Sequence, residues 1–166
     1  MNHLKTKKQL LSARAQQLIN QCHQENKAMV LVTGVFDLLH QEHLNFLIKA
    51  KQAGDFLIVG VETDYRVKLL KGDDRPIDAE KIRMKKIKQT KIADYVFLLP
   101  EQFTQQQDHL KLLSLIKPKI LAVSENTPKL QEKRQAMLQV GGVVKVVHKH
   151  NPAVSTTRLV NQTKKR

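Results

Sequence analysis

Five short apolar runs alternate along the chain with longer segments of helical character, and that alternation leaves few folds open. The runs are Ala28 to Gly34, Phe56 to Glu62, Tyr95 to Leu99, Lys119 to Val123 and Val143 to His148. Read by length and composition, they are buried strands. Helices are predicted between them over Gln41 to Ala53, Ala79 to Lys91, Thr104 to Ile116 and Leu130 to Val140. Leu11, Ala15, Leu18 and Cys22 repeat at three or four residues and place one more helix ahead of the first strand. Strands and helices in this order require right-handed crossovers, so the fold class is α/β: a Rossmann-like domain, its five-stranded parallel sheet covered by helices on both faces. Gly54-Asp55 and Gly141-Gly142 stand just before strands, where a helix C-terminus favours glycine.

The 166 residues suit one compact domain. It divides into an N-terminal helix over 1–27, a core over 28–160 and a basic tail over 161–166, with no repeat, linker or low-complexity segment. The longest apolar runs fall far short of the roughly 18 residues a membrane span needs, and no signal-peptide core opens the chain. A single cysteine, Cys22, permits no internal disulfide and fits a reducing, cytoplasmic setting. The 29 Lys and Arg against 15 Asp and Glu give a formal charge of +14, a field that favours phosphates, nucleic acid or anionic lipid. Nucleic acid is the less favoured partner, because few aromatic residues are available to stack bases and no RNA-binding motif is present.

In an open parallel sheet, ligands sit at the carboxyl ends of the strands where strand order reverses. The first strand ends at Thr33-Gly34, and the next helix begins near Gln41. Its free N–H groups and positive dipole end attract phosphate oxygens. Gly34 leaves room for a nucleotide beside the backbone. His40 and His43, three residues apart, reach the same side of the helix entrance and can donate to oxygens that gain charge during phosphoryl transfer. Alone, such a pair equally suits surface or capping roles.

The stretch from Gly34 to His43 resembles the GxFDxxHxGH signature of the cytidylyltransferase-like nucleotidyltransferases. Lys49 to Val61 is similar to that family's RAKxxGDxLIVGV stretch, Thr63-Asp64 with Lys68 to Pro76 to its SD...KGxxRP segment, and Val154 to Thr157 to its ISTT motif. Within the family, the Lys71 to Pro76 segment and the Gly141-Gly142 turn most resemble the adenylyltransferase domain of the bifunctional heptose-phosphate kinase/adenylyltransferase. Glycerol-3-phosphate cytidylyltransferase is a near second.

The resemblance implies transfer of a nucleotidyl group from ATP or CTP to a phosphorylated sugar or small alcohol, with Mg²⁺ and release of pyrophosphate, by a homodimer. It implies that His40 and His43 hold the triphosphate and that Lys51 approaches the phosphates. Thr33, Gly34, Phe36, Ser155, Thr156 and Glu125 fall on the nucleotide side, and Asp37, Asp64, Arg75 and Arg83 on the acceptor side; no protein-held metal is assigned. Ser155 and Thr156 equally suit an ordinary helix cap, Arg75 and Arg83 an internal carboxylate, and Asp37 a turn cap.

Three positions depart from the family pattern. Glu42 replaces the glycine of HxGH, Ser124 to Thr127 replaces a glycine-rich turn that faces the base, and His150 and Ala153 replace the arginine and glycine of RTxGIST. Two alternative readings therefore stand beside the enzyme: a catalytically impaired nucleotide- or phosphate-binding relative, and a basic RNA-associated protein on the same scaffold.

Overall fold

A computed structural model describes residues 10–149. Its elements follow in the order α1 (Ala13–Gln24), β1 (Met29–Gly34), α2 (Gln41–Lys51), β2 (Phe56–Val61), α3 (Asp64–Lys71), α4 (Glu80–Gln89), β3 (Tyr95–Leu98), α5 (Gln106–Ile116), β4 (Ile120–Ser124), α6 (Leu130–Gln139) and β5 (Val143–His148). The five strands form one parallel sheet in the order β3-β2-β1-β4-β5. Chain order reverses between β1 and β4, so the crevice above their carboxyl ends is the topological switch point of a Rossmann-like sheet.

Alternation along the central strands divides the interior in two. Met29, Leu31, Ile58, Leu121 and Val123 face a cluster with Ala15, Ile19 and Cys22 of α1, Leu112 and Ile116 of α5 and Met137 of α6. Val30, Val32, Leu57, Val59, Val61 and Ala122 face Leu47 and Ala50 of α2 and Ile87 of α4. Burial on both faces is what makes these strands read as continuous apolar runs. In α1, Ser12 caps the helix by accepting from the Ala15 N–H at 3.1 Å. Ile19 is buried there, while the expected Leu18 is only half-buried.

One helix escaped the reading of the sequence. Residues 64–71 form α3, opened by Thr63, whose Oγ1 accepts from the Arg66 N–H at 3.2 Å, and closed at Gly72, whose φ of 94° suits glycine. Thr63, Asp64 in the first turn and Gly72 were legible stop and start signals; the short, mostly exposed apolar pattern hid them. Gly54 does not adopt a left-handed conformation. Instead, a Cβ there would lie 2.4 Å from the Ala28 carbonyl oxygen. That carbonyl already accepts from the Asp55 N–H at 2.8 Å, and the Asp55 carboxylate accepts from the Ala28 N–H at 2.7 Å, so the corner has no slack.

Gly54→Ala is accordingly expected to destabilise the protein by about 1–3 kcal/mol, the usual cost of overpacking. Urea unfolding measures it, and an unchanged midpoint would show that the β1–β2 corner yields.

Candidate active site at the head of the second helix

β1 delivers Thr33 and Gly34 to the switch point, and α2 starts seven residues later with its free N–H groups turned toward the crevice. His40 is the N-cap residue of α2 but makes no side-chain cap bond, so the capping role is not taken up. Its ring stacks instead on that of His43, with centroids 3.8 Å apart and planes inclined by 21°. Phe36 meets His43 edge-on at 5.5 Å. Two half-buried imidazoles are thus fixed side by side at the positive end of a helix.

Both rings are kept neutral. Burial pushes the His43 pKa down from 6.5 to about 3, and His40 and Lys71 push the same way, with Asp37 opposing. Burial lowers His40 as well, against the pull of Glu42. The histidines therefore meet an incoming anion as N–H donors rather than as cations, and the Nδ1 of His43 is buried with no hydrogen-bond partner among the described residues.

The loop that carries them is held by force of hydrogen bonds. Phe36 and Leu38 both have positive φ, 54° and 47°, a conformation that costs an ordinary residue roughly 1–2 kcal/mol. Between them Asp37 is buried, and its carboxylate accepts from Arg75 Nε at 2.9 Å and from the backbone N–H groups of Ile77 at 3.0 Å and Asp78 at 2.9 Å. Burial would raise the Asp37 pKa, but the N–H groups of Asp78 and Ile77 and the Arg75 guanidinium outweigh it and hold the carboxyl below its ordinary value. Arg83, completely buried, donates to the carbonyls of Asp78 at 2.9 Å and Val35 at 2.7 Å and to the Asp64 carboxylate at 2.7 Å.

These contacts show where the expected site residues stand. Asp37 and Arg75 form one internal ion pair and Arg83 and Asp64 another, and the Asp64 N–H donates to Glu80 at 2.9 Å. Gly34 does not leave its space open, since a Cβ there would lie 2.9 Å from the Phe36 ring, which itself is buried. Lys51 sits at the far end of α2, about 12 Å along the axis from His43. There it binds the Asp94 carboxylate at 2.6 Å and the Asp55 carbonyl at 2.8 Å, at the amino ends of β3 and β2, so it does not join the histidines. Thr33 stands half-buried at the end of β1, and Glu125 is exposed in the turn after β4, its N–H donating to the His148 carbonyl at 2.9 Å. Ser155 and Thr156 lie outside the described residues. Lys71, the last residue of α3, was not singled out, yet it lies close enough to act on His43; burial, with Arg75 and Arg83, holds its ammonium below the ordinary value. Its place in the Lys-Gly-Asp-Asp-Arg-Pro segment was the available signal.

Among the described residues no helix is long and apolar enough to cross a membrane, and no group of three His, Cys, Asp or Glu is placed to hold a metal ion. A family model described as cytidylyltransferase-like matches residues 31–162. The chain is 41% identical over 99 residues to the bifunctional protein HldE of Nitratiruptor, which covers 60% of this chain and 20% of the relative. It is 39% identical over 95 residues to HldE of Campylobacter fetus, covering 57% and 20%. The chain thus spans about a fifth of the length of these relatives. Among solved structures, the lipopolysaccharide core biosynthesis protein of Thermoplasma volcanium is 27% identical with a TM-score of 0.58, covering 75% of this chain and 97% of its own. The pantoate-beta-alanine ligase of Francisella tularensis, complexed with beta-gamma ATP and beta-alanine, matches in fold at 16% identity and a TM-score of 0.58, covering 88% and 75%.

The depressed His43 pKa has a consequence for acid stability. Between about pH 6.5 and about 3 the unfolded chain binds a proton that folded His43 refuses, so this residue subtracts stability progressively as pH falls through that window. His43→Gln is expected to show a shallower loss of unfolding free energy between those limits than the parent protein. Parallel curves from denaturant titrations at each pH would show that His43 titrates as in the unfolded chain.

Proposed function

We propose, from the premise that this chain belongs to the cytidylyltransferase-like family, that it is a nucleotidyltransferase acting on a phosphorylated acceptor. The observation that carries the reading is the stacked pair His40 and His43 at the N-terminus of α2, above the switch point of the sheet. An oxygen of the acceptor phosphate attacks the α-phosphorus of a nucleoside triphosphate. A new P–O bond forms, the bond to the bridging oxygen between the α- and β-phosphates breaks, and pyrophosphate leaves with that electron pair. The attacking group is already anionic, so a general base is not required; alignment and neutralisation of charge are.

The residues of this chain suit that task. The α2 N–H groups and the two imidazole donors receive the triphosphate, and Lys71 adds positive charge beside them. Water is partly excluded around His43, which strengthens each donor. Mg²⁺ ordinarily binds through substrate phosphates and one or two carboxylates with several waters. Held through the substrate phosphates, such an ion would supply partial neutralisation of their charge. ATP is the favoured donor, by resemblance to the adenylyltransferase domain, and a sugar phosphate the favoured acceptor, in keeping with the lipopolysaccharide core biosynthesis relative. CTP and a small alcohol phosphate are the second choice.

Pyrophosphate release, measured with ATP and with CTP against a panel of phosphorylated sugars and alcohols, tests the proposal. Turnover is expected with one pairing, and His40→Ala or His43→Ala should each lower it by about 10²-fold or more. Full activity in both variants would remove the histidines from the reaction.

A further inference from the structure

The glycine of the family motif is Glu42 here, the second residue of α2, and a carboxylate at that place competes with phosphate for the N–H groups of the helix head. It also repels a polyanion. In this structure the carboxylate is drawn away from that position. Its Oε2 lies 3.0 Å from Nε2 of His148, and its Oε1 accepts from Asn45 Nδ2 at 3.3 Å. Gln41 Nε2 donates to Asn45 Oδ1 at 2.9 Å and so orients that amide. The side chains of His148 and Glu42 are only 10% and 19% exposed, which separates the pair from an ordinary surface contact.

His148 reaches Glu42 because of an irregularity in β5. Val123 pairs with Val146 and Ser124 with His148, so Val147 is an extra residue opposite one step of β4. Regular alternation would turn Val147 and His148 to opposite faces. Val147 packs with the α2 side of the core, and the bulge turns His148 to that side as well, against Phe46, Glu42 and Lys49 of α2. Lys49 Nζ lies 3.4 Å from Nδ1 of the ring. An ammonium only donates, so this contact goes with the tautomer in which Nδ1 accepts and the Nε2 N–H faces the carboxylate.

We propose that His148 is a positioning residue: by holding Glu42 against β5 it keeps the head of α2 open to polyphosphate, and so makes a carboxylate compatible with a site that otherwise carries glycine. This rests on the nucleotide-binding reading of the same site. Freed from His148, Glu42 would fall back on the α2 N–H groups and contest them with the ligand.

The test is calorimetric binding of inorganic tripolyphosphate, and of ATP and CTP, to the parent protein, His148→Ala, Glu42→Gln and the double variant. The expected result is a loss of affinity of roughly tenfold or more in His148→Ala, largely recovered when Glu42→Gln removes the liberated charge. His148→Leu, which keeps an apolar contact with Phe46 but has no donor, should behave as His148→Ala does and serves if the smaller side chain prevents folding. Unchanged affinity in both His148 variants, or a loss that Glu42→Gln does not recover, overturns the inference while leaving the nucleotide site standing. Binding by Glu42→Gly where the parent protein binds nothing also overturns it, since Glu42 would then block the site. Failure of the parent protein and of Glu42→Gly alike to bind any of the three ligands overturns the nucleotide reading and this inference with it.

Discussion

A carboxylate taken out of water is tolerated only when donors meet its charge, and Asp37 satisfies that condition by gathering the Arg75 guanidinium and two backbone N–H groups from residues 77 and 78. The arrangement joins the β1–α2 loop to the segment between α3 and α4. Arg83 repeats the connection from beneath, through Val35, Asp78 and Asp64. Together they hold Phe36 and Leu38 in a backbone conformation neither residue would choose. The direction of α2, and hence the place of His40 and His43, follows from that clamp. Removing Arg75 would leave the buried Asp37 carboxylate without its counter-charge, which is the costly way to break such a pair, whereas Arg83 meets two carbonyls and a partly exposed Asp64.

The chemistry of the site differs from a simple cluster of cations. Strong net charge surrounds the protein, but the two groups at the helix head are neutral imidazoles whose protons are withheld by burial. In the proposed reaction an incoming anion would meet these donors already in place, the condition under which hydrogen bonds stabilise developing charge best, while the broad positive field would favour its encounter.

Much of this was legible in the sequence because the relevant signals are local. All five strands were visible as apolar runs; β1, β2 and β4 are so because both their faces are covered, while β5, with Val143 and Val146 exposed, was visible only through its valines, and α2 through its place after Gly34. The spacing of His40 and His43 after a strand ending in glycine marked them as neighbours, and the structure stacks their rings. What escaped depends on contacts distant in the chain. Arg75, Arg83 and Asp37 carry charges that look available for a ligand, and only the fold reveals that each is already met by a partner 38 to 48 residues away. Lys51 lies on the same helix as the histidines, yet the length of α2 carries it to the amino ends of the strands, the opposite end of the sheet. Glu42 announced itself as a departure, but its partner His148 lies 106 residues on and faces it only because of a bulge that no local pattern signals.

The central claim is that His40 and His43 together receive a polyphosphate at the head of α2. Long-range proton–nitrogen NMR of the imidazoles, recorded at pH 7 while inorganic tripolyphosphate is added, tests it most directly. Saturable shifts of the His40 and His43 ring nitrogens, with His23 and His109 on α1 and α5 unmoved, are the predicted result. Ring signals of His40 and His43 that stay in place while the ligand binds elsewhere would contradict it.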